Sequence, residues 1–258
     1  MRVLEIHVPD DSPVKYGSEA GMMRKSSAIS AEAFDAGEPI RVAVLNKATI
    51  TLAESLDVVT DALQQQLDQH FTPVWGVTAK LAVLDYVPAG WWGMVLTDTA
   101  DVANALGYHD LTPAGLPQGH VFVKTTQDAR KDVNVTLSHE LLEMLVDPAI
   151  NLMAQAPQND PNGAIAYAYE VCDACEDLSY QINGINVSDF VFPSFFEGYR
   201  TANSTKFDYL NQVKAPFQVL AGGYMPVFTQ NGWTQIFSSA EAKAKFDITQ
   251  RTRCPRRK

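Results

Sequence analysis

The chain has 258 residues, of which 46% are hydrophobic and 19% charged, so it can form one sizeable core or a compact domain with a second lobe. Its formal net charge of −10 argues against a general binder of the nucleic-acid backbone, because that class of protein relies on positive charge. The basic run at residues 251–258 is predicted to be a solvated tail and no recognition element.

The N-terminal residues and the cysteines indicate the cellular setting. The chain begins without the apolar stretch of a secretory signal, and it has no apolar run of the roughly 20 residues that a membrane helix needs. Three cysteines form no paired framework of the kind found in disulfide-stapled secreted domains. We therefore expect a soluble protein that is cytoplasmic by default, and export without a signal is left open.

Hydrophobic spacing predicts the elements of the first half of the chain. Leu56, Val59, Leu63 and Leu67 recur every three or four residues, as on one face of an amphipathic helix. The predicted elements are an extended lead-in at 1–39, a strand at 40–45, a helix at 55–70 closed by Pro73, strands at 79–84 and 91–96, a loop from Gly107 to Gly119, a strand at 120–124 and a second helix from Asp132 to Pro148.

This order predicts an α+β fold with a mixed twisted sheet and two long helices. Residues 40–150 are predicted to form an N-terminal subdomain. Residues 151–258 are predicted to form an irregular, aromatic-rich lobe. We expect a lobe of the same domain rather than an independent domain, because no linker separates the two parts. The aromatic stretch at 190–196 is interpreted as core packing rather than as the wall of a substrate pocket.

The second helix carries the chemistry. His139 and Glu143 lie four residues apart, so their side chains stack on one helical face and can present an imidazole nitrogen and a carboxylate to one metal ion. Glu140 lies about 100° further round the helix, where it can act as a general base on a water molecule. Burying ionisable groups in so apolar a helix is costly unless they are paired or bind a metal ion. The pattern favours a metal site.

A third ligand must come from elsewhere in the fold. Glu170 and Asp173, some 30 residues downstream in an acidic segment, are the leading candidates. Asp147, His109 and His120 are weaker ones. Zinc suits the histidine, but the carboxylates make the site hard enough for another divalent cation such as calcium.

Cys172 and Cys175 form a single Cys-x-x-Cys pair within the same acidic segment. A structural zinc site usually needs two such pairs, and acidic neighbours suppress thiol reactivity. We therefore interpret the two residues as ordinary reduced cysteines, with a disulfide or a metal-binding role as the alternatives.

Two motifs together resemble a known group of proteins. The run Ser-His-Glu-x-x-Glu-x-x-x-Asp-Pro at residues 138–148 and the Glu-x-x-Asp element at 170–173 are similar to those of zincin-like metallopeptidase-type proteins, over about residues 40–200. The resemblance implies a zincin-like fold, a metal held by His139 and Glu143, Glu140 as base, and an acidic element near Glu170 and Asp173 that completes the site. It implies no known substrate.

The function expected from these features is a metal-dependent hydrolase, of the zinc metallopeptidase kind, that acts on a peptide or protein. The strand with His120, Val121 and Phe122 is expected to bind an extended substrate by adding it to the sheet. The alternative is a binding or assembly module on the same fold, without turnover, that holds a structural cation or none. The sequence does not indicate the oligomeric state.

Overall fold

A computed structural model of the chain describes residues 38–102 and 105–246. The basic tail at 251–258 and all but the last two residues of the lead-in at 1–39 lie outside these ranges, so the predictions made for them stay predictions.

The first layer of the fold is a five-stranded mixed sheet. Its strands are β1 (Ile40–Asn46), β2 (Ala79–Val83), β3 (Trp92–Thr97), β4 (Gly107–Leu111) and β5 (Pro117–Phe122), in the spatial order β2-β1-β3-β5-β4. The first three and β5 run parallel, whereas β4 is antiparallel to β5 and forms one edge. The predicted loop that begins at Gly107 is thus wrong at its start, because residues 107–111 pair with β5 as a strand.

The first long helix continues past its predicted end. Helix α1 (Leu56–Gln66) runs into a π-helical turn (Leu67–Phe71) and then into α2 (Thr72–Trp75). Thr72 donates its N–H to the carbonyl of Leu67, five residues back, so Pro73 enters at the start of a new turn where its missing N–H is not required. Gly76 ends the helix in the left-handed conformation, with φ at 71°.

The second long helix agrees with its prediction. After the short helix α3 (Val123–Asp128), helix α4 spans Val133–Val146. The Asp132 side chain caps it by accepting from the N–H of Asn134, at 2.9 Å, and Pro148 follows its last turn. Helix α3 begins where the predicted strand at 120–124 should have continued, so that strand ends at Phe122.

The second half of the chain is more regular than expected. It contains β6 (Met153–Gln155), β7 (Ala166–Ala168), β8 (Ser179–Ile182), β9 (Ile185–Ser188), β10 (Tyr224–Thr229), β11 (Gly232–Phe237) and α5 (Ala240–Phe246), with one-turn 3₁₀ helices at Asp173–Cys175 and Pro193–Phe196. Four strands form an antiparallel sheet in the order β11-β10-β7-β6, and β8 pairs with β9 as a hairpin. The predicted irregular lobe therefore holds two small sheets.

The aromatic stretch packs into the core, as predicted. Phe190 and Phe195 are completely buried, and Phe190 contacts Phe71 of the π-helical turn edge-on, with ring centroids 5.1 Å apart. One continuous apolar cluster joins the first sheet, α1 and α4 to this part of the chain. Within the described residues, no helix combines the length and the apolarity that crossing a membrane requires.

Candidate metal centre

Helix α4 is held in place by a buried polar network immediately before the motif. Ser138 donates its hydroxyl to Gln66 Oε1 at 2.7 Å and accepts from the N–H of Ser188 at 3.0 Å. Gln66 in turn donates to the carbonyl of Ser188 at 2.9 Å. One serine thus joins α4 to the end of α1 and to β9, which fixes the rotation of the helix about its axis and with it the direction of His139.

Three of the predicted ligands meet at one point. His139 Nε2 lies 3.3 Å from Glu143 Oε2 and 3.3 Å from Asp173 Oδ1. Zinc–ligand bonds of 2.0–2.1 Å in tetrahedral geometry place the ligand atoms ~3.3 Å from one another. Both distances from the histidine nitrogen therefore match the ligand spacing around a small divalent cation.

Outer contacts orient these donors. His139 Nδ1 lies 3.1 Å from Glu176 Oε2, the arrangement in which a carboxylate holds a metal-binding histidine in the tautomer that directs its other nitrogen to the ion. Glu143 Oε1 accepts the backbone N–H of Cys172 at 3.0 Å, which leaves Oε2 toward His139. Both of these side chains on the helix are thus positioned by the acidic segment.

Sequence reasoning did not nominate Glu176. Asp173 begins the 3₁₀ helix at Asp173–Cys175, and a 3₁₀ helix has three residues per turn, so the residue three places on returns to the same side. That spacing brings Asp173 and Glu176 to the same histidine. Recognition of the short helix in the acidic run would have found the residue.

Glu170 belongs to a neighbouring set of donors. One ring nitrogen of His109 and one carboxylate oxygen from each of Glu143 and Glu170 lie within 4.8 Å of one another. The equivalent set around the motif histidine comprises His139, Asp173 and Glu176. Buried His, Glu and Asp groups able to hold a metal ion are therefore present.

Glu140 faces a cleft beside these donors. The cleft has a volume of about 160 Å³, and residues 105–107 before and at the start of β4 line it together with His139, Glu140, Glu176 and Tyr224. Glu140 packs against Gly107, where a Cβ atom would come within 2.7 Å of its Cγ. A side chain at position 107 would occupy the space of Glu140, so the strand needs glycine at this contact.

The electrostatics of the centre reflect its crowded carboxylates. Burial alone would lower the pKa of His139, but Glu143 and Glu176 outweigh burial and hold that pKa well above its ordinary value. Burial raises the pKa of Asp173 well above its ordinary range, and Glu143 raises it further. Burial, reinforced by Asp173 and Glu176, also raises the pKa of Tyr224 well above normal, so its hydroxyl keeps its proton at neutral pH.

The residues expected to bind substrate belong to β5, an interior strand of the first sheet. Val121 and Phe122 are buried in the core, and β5 pairs with β3 on one side and with β4 on the other. His120 is half-buried in the same strand and contacts Gln118, with the two side-chain nitrogens 3.2 Å apart. The prediction that this strand pairs with a peptide is wrong, because both of its hydrogen-bonding edges are taken. On this side of the sheet the edge strand is β4.

Two further predictions concern Asp147 and the cysteines. Asp147 is buried, and its carboxylate accepts from the N–H groups of Asn151 and Leu152 at 2.9 and 3.0 Å, so this carboxylate organises the turn after α4 and is in neither donor set. Cys172 and Cys175 form no disulfide and are buried, which raises the pKa of both thiols well above normal. They are packed, reduced cysteines, as predicted.

Comparisons with known proteins give no independent guide to function. No protein-family model matches the chain, and neither the curated proteins nor the solved structures include a significant match.

Proposed function

We propose that the protein is a metal-dependent hydrolase of the zincin-like metallopeptidase type. The observation that carries the proposal is the 3.3 Å spacing of His139 Nε2 from a carboxylate oxygen of Glu143 and of Asp173. Glu176, 3.1 Å from the other ring nitrogen, supports the same assignment, because metal-binding histidines are commonly held by a carboxylate in this way.

A divalent cation bound at this point would lower the pKa of a water molecule and polarise the carbonyl of the scissile bond. Glu140 is the proton acceptor, since it lines the cleft one residue beyond the histidine ligand. The Tyr224 hydroxyl lines the same cleft, and its raised pKa keeps it a hydrogen-bond donor that can stabilise negative charge developing on the substrate oxygen.

The substrate we propose is an extended peptide lying along β4. This strand forms the edge of the five-stranded sheet, and its first residue, Gly107, lines the cleft beside Glu140. A sheet edge can bind an extended chain through backbone hydrogen bonds, with little demand on side chains. The interaction assigned by sequence to His120, Val121 and Phe122 thus moves to the neighbouring strand.

The substitution Glu140→Gln tests the mechanism. The amide has nearly the same shape but cannot accept the proton, so zinc-loaded variant protein should cleave fluorescence-quenched peptide libraries and labelled casein at least about 100-fold more slowly than wild type. Its zinc content, measured by elemental analysis, should stay the same because Glu140 is not among the proposed ligands. The variant Glu197→Gln, which changes a glutamate that the cleft does not involve, is the matched control.

Undiminished cleavage by Glu140→Gln would refute Glu140 as the base. No cleavage of either probe by zinc-loaded wild-type protein would refute the peptidase assignment. Stoichiometric calcium in place of zinc would favour the second candidate, a cation-holding module without turnover. The specific observation in favour of that candidate is the excess of carboxylate over imidazole in the centre, which suits a hard cation.

A further inference from the structure

The two donor sets of the centre adjoin one another through Glu143. This residue belongs to the set with His109 and Glu170, and its Oε2 atom also lies 3.3 Å from His139 Nε2 of the other set. A carboxylate has two oxygens and can bridge two cations. The fold thus provides two histidines, one for each set, on either side of a shared glutamate.

The orientation of His109 also suits a metal-binding histidine. Its Nε2 atom lies 3.0 Å from the carbonyl oxygen of Asp147, and a carbonyl can only accept, so Nε2 carries the hydrogen. The Nδ1 atom is directed to the carboxylates, 3.8 Å from Glu140 Oε2. A backbone carbonyl that holds one ring nitrogen and turns the other inward is the usual support for a histidine ligand.

Two divalent ions would compensate the carboxylates of the centre more fully than one. Five carboxylates gather here, and each is at most about one-tenth exposed: Glu140, Glu143, Glu170, Asp173 and Glu176. Buried charges are costly unless they are paired or bind metal. One divalent cation leaves three of the five negative charges uncompensated, whereas two leave one.

We propose that His109, Glu143 and Glu170 bind a second divalent cation beside the one held by His139, Glu143 and Asp173, so that Glu143 bridges a dinuclear centre. The inference rests on the proposed function for the first ion and goes beyond it by adding a site and a second histidine ligand. It also changes the setting of Glu140, whose Oε2 atom lies 3.8 Å from Nδ1 of the second histidine ligand, His109. Paired ions of this kind clamp both the attacking and the leaving oxygen in hydrolytic enzymes.

Cobalt titration of the full-length protein tests the second site. Cobalt(II) takes the same ligands as zinc and reports on coordination through its visible absorption and its electron paramagnetic resonance. Wild-type protein, first stripped with a chelator, should bind about two cobalt ions per chain, and the second should produce a spin-coupled resonance signal. The bridging carboxylate is the physical reason for that coupling.

Two variants remove the second site by different means. His109→Gln keeps an N–H that can donate to Asp147, and Glu170→Gln keeps the shape of the glutamate; each should bind about one cobalt ion and lose the coupled signal. Asp128→Asn, which changes an exposed carboxylate paired with Lys124, should bind as wild type does. Since two ligands are changed separately, misfolding of one variant leaves the other as the test.

The results that overturn the proposal are distinct from those that overturn the hydrolase assignment. Wild-type protein that saturates at one cobalt ion refutes the second site, and so does a second ion that persists in both variants. Two coupled ions without cleavage of any peptide probe would refute the peptidase and leave the dinuclear centre standing. Peptide cleavage by protein that binds a single ion would refute the dinuclear centre and leave the peptidase assignment standing.

Discussion

Replacing Asp189 by asparagine should remove a large part of the pH dependence of stability. Asp189 lies against Asp208 in the interior, and both residues are fully buried. Asp208 accepts the N–H groups of Gln212 and Val213, which stabilise its negative charge. Asp189 accepts the N–H of Leu210 through Oδ1 and is also reached by the Phe190 N–H, while its buried Oδ2 has no hydrogen-bond partner. Two adjacent buried carboxyls need a shared proton, and the raised pKa of Asp189 places it there.

The magnitude follows from the pKa of Asp189, which burial and the hydrogen bond with Asp208 raise from 3.8 to about 8. A folded-state pKa above the unfolded value means that the folded protein holds the extra proton between the two values. The stability that this proton provides is complete below pH 3.8 and is lost as pH rises through about 8. The slope approaches about 1.4 kcal/mol per pH unit, so wild type should lose about 3 to 4 kcal/mol between pH 5 and pH 8 from this group.

In Asp189→Asn the amide N–H can donate to Asp208 at every pH, so that loss should vanish. Urea unfolding of both proteins at pH 5, 6, 7 and 8 measures the effect as the difference in free energy of unfolding, in which the other titrating groups cancel. The difference should shift in favour of the variant by about 3 to 4 kcal/mol across this range. Asp128→Asn should run parallel to wild type. A variant curve that also runs parallel to wild type would refute the shared proton.

The polar network and the glycine contact give two further predictions. Ser138→Ala should lower the free energy of unfolding by about 1 to 3 kcal/mol, because it leaves Gln66 and the Ser188 N–H without their buried partner. Urea unfolding measures this loss, with the exposed-site variant Ser204→Ala as the control. Equal losses in the two variants would contradict the role of the network. Gly107→Ala should lower kcat and the thermal midpoint but spare the bound-metal count, because its Cβ would lie 2.7 Å from Glu140 Cγ and from the His120 carbonyl oxygen. Unchanged kcat would contradict the packing.

Local patterns accounted for the parts of the structure that local forces determine. Helix α4 follows from its apolar spacing, its Asp132 cap and the proline after it, and these also set His139 and Glu143 on one face. The predicted strands at 40–45, 79–84 and 91–96 are present with small shifts at their ends, because short apolar runs bounded by turn residues favour strands.

Pairing between distant segments decided the rest. Whether β4 or β5 forms the sheet edge depends on which strand has a second neighbour, and neither strand's own sequence states this. The meeting of His109 with Glu170 joins positions some sixty residues apart, and the use of Asp147 by backbone N–H groups depends on the turn that follows it. The prediction that Pro73 closes the first helix was wrong because of a π-helical turn, which apolar spacing does not reveal. That turn places Pro73 at the start of a new helical turn, where its missing N–H is not required.

The donors of the centre come from two separated parts of the chain, helix α4 and the segment after β7. An ion between them would act as a reversible cross-link that closes a loop of about thirty residues, from Glu143 to Asp173. That loop contains the exposed turns around residues 157–163. Cation supply would then affect more than the reaction, because an ion that closes this loop would add to the stability that the shared apolar core already provides, and its removal would lower the free energy of unfolding.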